Sequence, residues 1–581
     1  MCRLLSALLL LLCCQGLNAA TDSVIPEAAS GFGEVKTARA EHYMAVTANP
    51  LATQAALDTL RRGGSAVDAT IAAQLVLGLV EPQASGLGGG AFMLYWDNGG
   101  HRLRYYDGRE TAPKAVDDRH FLDESGKPQQ FLDAVVGGYS VGTPGVVKLL
   151  ALAHQRHGKL PWASLFEPAI ALAERGFPIS PRLHTLLAET PRLAVNPAIR
   201  AYFFNADGSP KPVGFVLKNP AYANTLRLIA RDGEAAFYRG RIARDIVRTI
   251  HDNPNRAGKL TLADLAAYRA VEREPVCGRY RVYLVCGAAP PSSGGTTVLG
   301  ILGILEQFDP AKRPPDSVAF FHLFAEASRL AFVDRNTYVA DPDFIEVPTA
   351  GLVAPDYLAQ RAKLIDPQHA MASVPLGWPA WPRKAARIDY RPSRSPELIS
   401  TSHLNVVDAD GNALSMTTSI ETAFGSRLLV DGFLLNNQLT DFSFAPRGPE
   451  GQRIANRIEP GKRPRSSMAP MIVLRDDKPV LLIGSPGGAR IIDYVAKSLL
   501  YILDDQLPLA QALASPHIIA MGNAIELEQG RVGSAAQDQL RALGHKVVEV
   551  PQTSGLNAIL LEGGALVGSS DPRREGVAAG D

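Results

Sequence analysis

The chain lacks an excess of charge of either sign and lacks low-complexity linkers. Its 59 basic residues nearly balance its 58 acidic residues, which gives a formal net charge of +1. A nucleic-acid-binding protein normally carries a basic excess or stripe, so we expect no nucleic-acid partner. No Gly/Ser-rich, Pro-rich or single-charge tract interrupts the chain after about residue 40, and no internal repeat is visible. A globular protein with a large core that acts on small molecules is therefore the default expectation.

Long hydrophobic runs are also missing, apart from one near the N terminus. Arg3 precedes an apolar stretch from Leu4 to Cys14, and the small residues Asn18-Ala19-Ala20 follow it. This pattern is typical of a secretory signal, and the apolar stretch is too short to span a bilayer comfortably. We interpret residues 1–20 as a signal peptide. The mature protein is then expected to be exported, periplasmic or secreted, without a membrane span. An uncleaved anchor is the alternative.

Cysteine is scarce, with five residues in the whole chain. Three of them fall in the predicted signal peptide, which leaves Cys277 and Cys286. An even pair in an exported protein is typical of a disulfide, although two small buried residues on one strand are the alternative. No Cys and His residues share the spacing of a metal site, so we expect no metal and no cofactor.

The last third of the chain changes from helical patterns to strand patterns. The pattern of residues 150–270 predicts that they are largely helical. By contrast, apolar and polar residues alternate over 401–407, a turn is predicted at 408–412 and a second strand follows, which is a hairpin pattern. Another hairpin turns near Asp476 and leads to a predicted helix from Arg490 to Leu503. Strands with helices on either side predict stacked sheets covered by helices.

Two features of this last third can carry chemistry. Gly487 and Gly488 lie between a predicted strand and a helix N terminus, where backbone N–H groups can bind a developing oxyanion. A tight turn is the alternative for this pair. Ser400 and Thr401 begin a strand, and a hydroxyl residue in that position is usually only solvated. Neither feature alone identifies a function.

Ten motifs occur along the chain in the order found in one enzyme family. They are GLGGGAFML (86–94), DGRETAP (107–113), GTPG (142–145), PPSSGG (290–295), TSHLNVVDADGNA (401–413), SIETAFGS (419–426), LLNNQLTDFS (434–443), KRPRSSMAP (462–470), SPGGAR (485–490) and SDPR (570–573). From about residue 42 to its end, the chain resembles the gamma-glutamyltranspeptidases. A single Gly-Gly pair would be a weak signal, but ten motifs in register are a strong one.

The resemblance implies an α/β fold, the four-layer αββα sandwich of the N-terminal nucleophile hydrolases. It also implies a precursor that cleaves itself between Ser400 and Thr401. The products would be a large subunit, 21–400, and a small catalytic subunit, 401–581, which together form one αββα unit. A free α-amine has a pKa near 7.7–8.0, compared with about 10.4 for lysine, so the new amine of Thr401 can act as a base for its own hydroxyl.

The resemblance also assigns catalytic roles. Thr401 is the expected nucleophile, both in maturation, where it attacks the Ser400 carbonyl, and in turnover. Ser419 lies where the family has a hydroxyl that supports the nucleophile, and Gly487 with Gly488 would form the oxyanion hole.

Substrate recognition is implied in the same way. Arg109 should bind the α-carboxylate of a γ-glutamyl group, because a guanidinium binds a carboxylate bidentately, and Ser466 and Ser467 would add hydrogen bonds. Gln438 and Asp441 lie where the family binds the α-ammonium. The expected donors are glutathione and other γ-glutamyl compounds. The acyl group would pass to water or to an amino acid or peptide acceptor.

Two departures from the family pattern keep other functions open. Glu421 stands where the family commonly has an asparagine near the α-carboxylate, and the stretch between Asp441 and Ser466 is shorter than the family's lid loop and has no tyrosine. A carboxylate beside a carboxylate would be repulsive. A related acylase for another amide, such as a β-lactam side chain or poly-γ-glutamate, is the nearest alternative. A non-catalytic exported binding protein of the same fold is a more distant one.

Overall fold

The computed structural model describes residues 31–254, 256–382, 390–393 and 400–581. The predicted signal peptide lies outside the described residues. The described strands, in chain order, are β1 (Thr37–Ala40), β2 (Met44–Thr47), β3 (Gly90–Asp97), β4 (Arg102–Gly108), β5 (Phe177–Pro178), β6 (Val216–Leu217), β7 (Val271–Arg273), β8 (Val276–Tyr280), β9 (Tyr283–Gly287), β10 (Ser402–Val407), β11 (Ala413–Ser419), β12 (Leu429–Val430), β13 (Phe433–Leu434), β14 (Met471–Arg475), β15 (Lys478–Gly484), β16 (Ile518–Ile519), β17 (Ala524–Glu528), β18 (Lys546–Val550), β19 (Asn557–Glu562), β20 (Ala565–Ser570) and β21 (Val577–Gly580).

The α-helices of the same described ranges are α1 (Pro50–Arg61), α2 (Ala66–Val80), α3 (Phe131–Val135), α4 (Val146–His157), α5 (Glu167–Arg175), α6 (Pro181–Glu189), α7 (Pro197–Phe203), α8 (Pro220–Asp232), α9 (Ala235–Tyr238), α10 (Arg241–His251), α11 (Leu262–Ala267), α12 (Gly294–Leu305), α13 (Val318–Tyr338), α14 (Thr349–Leu352), α15 (Pro355–Ala362), α16 (Ile491–Leu503), α17 (Leu509–Ala514) and α18 (Ser534–Ala542). None of these helices combines the length and the apolar composition that a bilayer crossing requires.

Two seven-stranded sheets form the centre of the molecule. One has the strand order β21-β2-β10-β11-β3-β4-β7, and the other has the order β1-β20-β19-β15-β14-β9-β8. Strands β10 and β11 of the first sheet contact β15 and β19 of the second, so the sheets pack face to face. The predicted αββα sandwich is therefore confirmed.

Helices cover both outer faces of this pair of sheets. On the first sheet, α2 contacts β10 and β11, and all its residues are buried, as expected for a helix that is apolar on every side. Ser65 and Asp68 form a capping box that fixes where α2 begins. On the second sheet, α12 contacts β8 and β9 and α16 contacts β15. Apolar side chains from these layers form two large buried clusters.

Both sheets contain strands from each side of Thr401. Strands β10 and β11 lie between β2 and β3, and β14 pairs with β9. The C-terminal strand β21 pairs with β2, and the carboxylate of Asp581 accepts a hydrogen bond from the backbone N–H of His42. The two predicted subunits are thus interleaved within single sheets.

The two remaining cysteines lie opposite each other in a hairpin. Cys277 in β8 pairs with Cys286 in β9, and their sulfur atoms are 2.07 Å apart, as in a disulfide. The sequence favours a turn around Gly278 to Tyr283, but β8 extends to Tyr280 and the turn comprises only Arg281 and Val282.

We predict that mass spectrometry of an unreduced digest will find the Cys277 and Cys286 peptides linked. Reduction before alkylation should release both peptides. The Cys286→Ser variant is the control, since it should leave one alkylated thiol at Cys277. Two freely alkylated thiols in the native protein would contradict the prediction.

Candidate active site

The predicted nucleophile lies at the start of a buried strand. Thr401 directly precedes β10, which pairs with β11 so that Ser402 lies opposite Thr418. This register brings Thr401 beside Ser419, the last residue of β11, and the two hydroxyl oxygens are 3.3 Å apart. Both residues are almost completely buried.

Two hydroxyls converge on the peptide bond that is predicted to break. The Thr401 hydroxyl oxygen lies 2.5 Å from the carbonyl oxygen of Ser400, and the Ser419 hydroxyl donates to the same carbonyl oxygen at 2.9 Å. The Ser400 hydroxyl donates to the carbonyl of Gln83 at 2.8 Å, which anchors the residue before the bond. A hydrogen bond from Ser419 withdraws charge from the Ser400 carbonyl and so favours nucleophilic attack on its carbon.

A glycine-rich loop packs against Ser419. A Cβ atom on Gly89 would lie 2.1 Å from the Ser419 carbonyl oxygen, and one on Gly88 would lie 2.1 Å from that of Leu434. Only glycine permits this approach of the two backbones. The motif GLGGGAFML therefore holds the end of β11 in place.

The pair Gly487-Gly488 connects β15 to α16. Gly487 has φ +140° and Gly488 has φ +58°, and Gly488 begins a short 3-10 helix that leads into α16. A Cβ on Gly487 would lie 2.7 Å from the Tyr494 ring, so this turn requires glycine. The backbone N–H groups here lie at the N-terminal end of a helix, where partial positive charge accumulates.

Arg109 follows β4 and is 1% exposed. Its guanidinium donates to the carbonyl oxygens of Pro464 and Arg465, at 3.1 Å and 2.9 Å, and it forms a salt bridge with Asp441. Asp441 also accepts a hydrogen bond from the Gln438 amide at 2.8 Å. The residues expected to hold the two ends of a substrate therefore pair directly with each other in this structure.

The serine pair of the KRPRSSMAP motif is held by residues that precede Ser400 in the chain. The Ser293 N–H donates to the Ser466 carbonyl at 2.7 Å, and Arg335 donates to the Ser467 hydroxyl. The Nε of Arg335 also donates to the Ser293 hydroxyl at 2.9 Å. Sequence reasoning did not single out Arg335, because its position in the last turn of α13 gives no sign of partners so distant along the chain.

Glu421 is 3% exposed and lies in a backbone conformation that is uncommon for a residue with a side chain, with φ +82°. Its N–H donates to the Ser419 hydroxyl at 2.9 Å, and its carboxylate accepts a hydrogen bond from Asn437. The backbone of Glu421 thus contacts Ser419, while Asn437 holds its carboxylate.

All the predicted catalytic and substrate-binding residues except Gly487 line one small cavity, and Ser400, Met468 and Ile491 complete its wall. The cavity combines the hydroxyl of Thr401 with the guanidinium of Arg109 and two carboxylates, Glu421 and Asp441. Such an arrangement can bind a small molecule that carries both charges. In the described ranges, no group of three or more His, Cys, Asp or Glu side chains is arranged to hold a metal ion.

One more buried acid lies beside Arg109. Glu110 is 0% exposed, and neither of its carboxyl oxygens has a hydrogen-bond partner in the part of the chain that the structure describes. One of these oxygens lies 3.7 Å from the Arg109 guanidinium. Burial raises the pKa of Glu110 to about 8, although the charge of Arg109 opposes the shift. Glu110 is therefore mostly protonated at neutral pH, which leaves the Arg109 charge to other partners. The sequence signal for Glu110 was its position directly after Arg109 in the DGRETAP motif.

Comparisons with known proteins identify the family of this chain. A family model described as gamma-glutamyltranspeptidase matches residues 52–581. The glutathione hydrolase proenzyme of Bacillus subtilis (strain 168) is 36% identical over 545 residues, which cover 92% of this chain and 91% of that protein. The acylase ACY 1 proenzyme of Pseudomonas sp. (strain SE83) is 35% identical over 563 residues, which cover 95% of this chain and 96% of that protein. The crystal structure of cephalosporin acylase from Bacillus halodurans superposes with a TM-score of 0.84 at 28% identity, over 96% of this chain and 99% of that chain.

The buried carboxyl of Glu110 generates a prediction about stability and pH. Its pKa is about 8 in the folded chain, against an ordinary value of 4.5. Between these values the folded chain holds a proton that the unfolded chain has lost, so the contribution to stability falls as the pH rises from about 4.5 to about 8. Glu110→Gln removes this titration. The melting temperature of the variant minus that of wild type should therefore rise by several degrees between pH 5 and pH 8.

Glu124→Gln is the matched control, because Glu124 is exposed. Its melting temperature relative to wild type should not change over the same pH range. A constant difference between Glu110→Gln and wild type from pH 5 to pH 8 would show that Glu110 does not titrate there.

Proposed function

Because the chain belongs to the gamma-glutamyltranspeptidase family, we propose that it is a self-processing gamma-glutamyltransferase and glutathione hydrolase. The observation that carries the proposal is the position of the Thr401 hydroxyl. It lies against both the Ser400 carbonyl and the Ser419 hydroxyl, in a cavity that also holds Arg109 and Asp441. The predicted signal peptide supports an enzyme that works outside the cytoplasm.

Maturation begins in the intact chain. The Thr401 oxygen attacks the Ser400 carbonyl carbon while Ser419 stabilises the developing negative charge on the carbonyl oxygen. The C–N bond then breaks, and the nitrogen of Thr401 takes up a proton and becomes a free amine. The resulting ester between Ser400 and the Thr401 oxygen is hydrolysed by water. The products are a large subunit, 21–400, and a small subunit, 401–581.

Turnover uses the two groups that maturation exposes. The free amine of Thr401 accepts the proton of its own hydroxyl, and the oxygen attacks the γ-carbonyl of the donor. Backbone N–H groups of Gly487 and Gly488 stabilise the oxyanion. The donor amine leaves with a proton and a γ-glutamyl ester remains on Thr401. Water resolves this ester in hydrolysis, and the amine of an amino acid or peptide resolves it in transfer.

Recognition of the donor relies on its two charges. Arg109, with Ser466 and Ser467, binds the α-carboxylate, and Asp441 with Gln438 binds the α-ammonium. Binding then exchanges the direct Arg109–Asp441 salt bridge for two pairs with the substrate, so that each buried charge keeps a partner. Glu421 lines the same cavity and adds a second anion for the ammonium.

A second candidate is an acylase for a different amide. The likeness to an acylase proenzyme and to a cephalosporin acylase favours it, as does Glu421 at a position where it would repel a carboxylate.

The short segment between Asp441 and Ser466 fits either activity. It folds back on itself through Asn456, which donates to the Asp441 carbonyl at 2.7 Å and accepts from the N–H of Arg465 at 2.9 Å. The Thr401 mechanism is common to both candidates, and only the acyl group differs. A non-catalytic binding protein is a third, weaker candidate.

Self-cleavage is the first test. The purified protein should give two bands of about two-thirds and one-third of the mass, and N-terminal sequencing of the smaller should begin at Thr401. Thr401→Ala should stay whole and inactive, because one hydroxyl serves both reactions. Ser419→Ala should cleave more slowly, since it loses the donor to the Ser400 carbonyl. Normal cleavage of Thr401→Ala would refute the assignment of the nucleophile.

The second test measures recognition of the γ-glutamyl group. Wild type should hydrolyse γ-glutamyl-p-nitroanilide, and an acceptor dipeptide should accelerate release of p-nitroaniline if transfer occurs. Arg109→Lys keeps the charge but loses the planar fork, and Asp441→Asn removes the counter-charge of the ammonium. Each should lower kcat/KM for this donor by roughly ten-fold or more, mainly through KM.

The control is glutaryl-p-nitroanilide, which lacks only the α-amine. Asp441→Asn should affect this donor much less than γ-glutamyl-p-nitroanilide. A wild type that prefers the glutaryl donor would favour the acylase candidate over the γ-glutamyl one.

A further inference from the structure

The carbonyl oxygen of Thr401 accepts a hydrogen bond from an arginine near the C-terminal end of the chain. Arg574 is 6% exposed, and its Nη1 donates to that oxygen at 3.2 Å. Its Nε donates to the carbonyl oxygen of Thr553 at 3.1 Å. The planar guanidinium therefore bridges the backbone of Thr401 and the backbone of the segment that precedes β19.

The turn that carries Arg574 is attached to the same segment. The N–H of Asp571 donates to the Leu556 carbonyl at 2.8 Å, and the N–H of Arg574 donates to the Asp571 carbonyl at 3.3 Å. The Ser554 hydroxyl donates to the Asp571 carboxylate at 2.5 Å, and both of these residues are buried. The backbone from which Arg574 extends is therefore fixed before its side chain reaches Thr401.

Gly555 leaves room for the Arg574 side chain. A Cβ atom on Gly555 would lie 2.6 Å from Cδ of Arg574 and 2.7 Å from Cγ of Pro486. The N–H of Gly555 donates to the Ser485 hydroxyl at 3.3 Å, which holds the glycine at this distance. The path of Arg574 to Thr401 thus depends on a residue without a side chain at position 555.

Cleavage before Thr401 removes two of the links that hold this residue. Strand β11 pairs with β10 from Ser402 onward and β2 pairs with it from Leu404, so Thr401 lies outside both ladders. The peptide bond to Ser400 and the hydrogen bond from the Thr401 hydroxyl to the Ser400 carbonyl are lost on cleavage. A chain terminus is a place where disorder concentrates. The hydrogen bond from Arg574 does not involve Ser400, so cleavage leaves its donor and acceptor in place.

The orientation of the Thr401 backbone directs the Thr401 hydroxyl. Threonine is branched at Cβ, which leaves few favourable χ1 rotamers, so the direction of its Oγ1 follows that of the backbone. A misplacement of a reacting atom by about 1 Å can cost on the order of a hundred-fold in rate. A contact that holds the Thr401 carbonyl therefore bears on how well its hydroxyl is aimed.

We propose that Arg574 is a positioning residue that holds the carbonyl of Thr401 once this residue has become an N terminus, and so keeps its hydroxyl aimed at the donor carbonyl. The proposal rests on the proposed function in one respect, because it takes Thr401 as the nucleophile. It does not depend on which acyl group the enzyme accepts, since Arg574 contacts the backbone of the nucleophile.

The test compares acylation with maturation in Arg574→Met. In single-turnover measurements at saturating γ-glutamyl-p-nitroanilide, the rate of p-nitroaniline release per matured site should fall roughly ten-fold or more. The donor concentration that gives half of the maximal rate should change less than about two-fold, because substrate contacts are intact. Self-cleavage should slow by about two-fold or less, because the peptide bond still tethers Thr401 in the precursor.

Arg574→Lys is the conservative variant. A lysine keeps a donor for the Thr401 carbonyl but loses the fork that also binds Thr553, so part of the acylation rate should return. Arg531→Met is the matched control, because Arg531 is exposed and donates to the carbonyl of Ala514. Its acylation and self-cleavage rates should equal those of wild type. Arg574→Gln replaces Arg574→Met if the methionine variant is insoluble.

Three results would overturn the proposal. They are an unchanged acylation rate in Arg574→Met, a loss confined to donor affinity, and a folded variant whose self-cleavage slows as much as its acylation. The last result would place the need for Arg574 before cleavage.

Failure of the proposed function has a different signature. Normal cleavage of Thr401→Ala would refute the nucleophile and this role of Arg574 together. A wild type that prefers glutaryl-p-nitroanilide would refute γ-glutamyl specificity alone, and Arg574→Met should then lose the same factor in acylation on the glutaryl donor. An active wild type with an equally active Arg574→Met would refute the role of Arg574 alone.

Discussion

The candidate site depends on the antiparallel pairing of β10 with β11. Their register places Thr401 beside Ser419 and leaves the Ser400 carbonyl within reach of both hydroxyls. A slip of one residue in a strand pair would turn every side chain to the other face of the sheet. Both strands are fully buried between β2 and β3, so slippage would expose apolar residues to water and bury polar ones. The packing of the core therefore fixes the geometry of the chemistry.

The charges around the cavity form a second, coupled system. Arg109 pairs with Asp441, and the Glu421 carboxylate accepts a hydrogen bond from Asn437. Glu110 avoids adding a third anion because burial favours its protonated form. Each of these groups would be costly to bury alone, and the loss of one leaves another uncompensated. These interactions explain how several ionisable residues can line one small cavity.

Much of the fold followed from patterns that are local in sequence. The hairpin that turns at 408–412 was predicted from the alternation of its strands, and it is confirmed. The helix predicted from Arg490 begins at Ile491, after a short 3-10 turn. The roles assigned to the site residues stay predictions, although the structure brings those residues together. Arg335 escaped sequence reasoning because its long side chain finds partners that spacing along the chain does not reveal.

The interleaving of strands from both sides of Thr401 has a consequence for the life of the molecule. An intact chain reaches its native state in a unimolecular reaction, because its length tethers the strands that must meet. Once the bond before Thr401 is cut, any unfolded mature protein consists of two separate fragments, and refolding becomes a second-order association that dilution slows. Each fragment alone would also present unpaired strand edges, which are prone to aggregate. The uncut chain therefore folds once, before cleavage. After cleavage, the lifetime of the folded enzyme depends on its unfolding rate more than on its equilibrium stability.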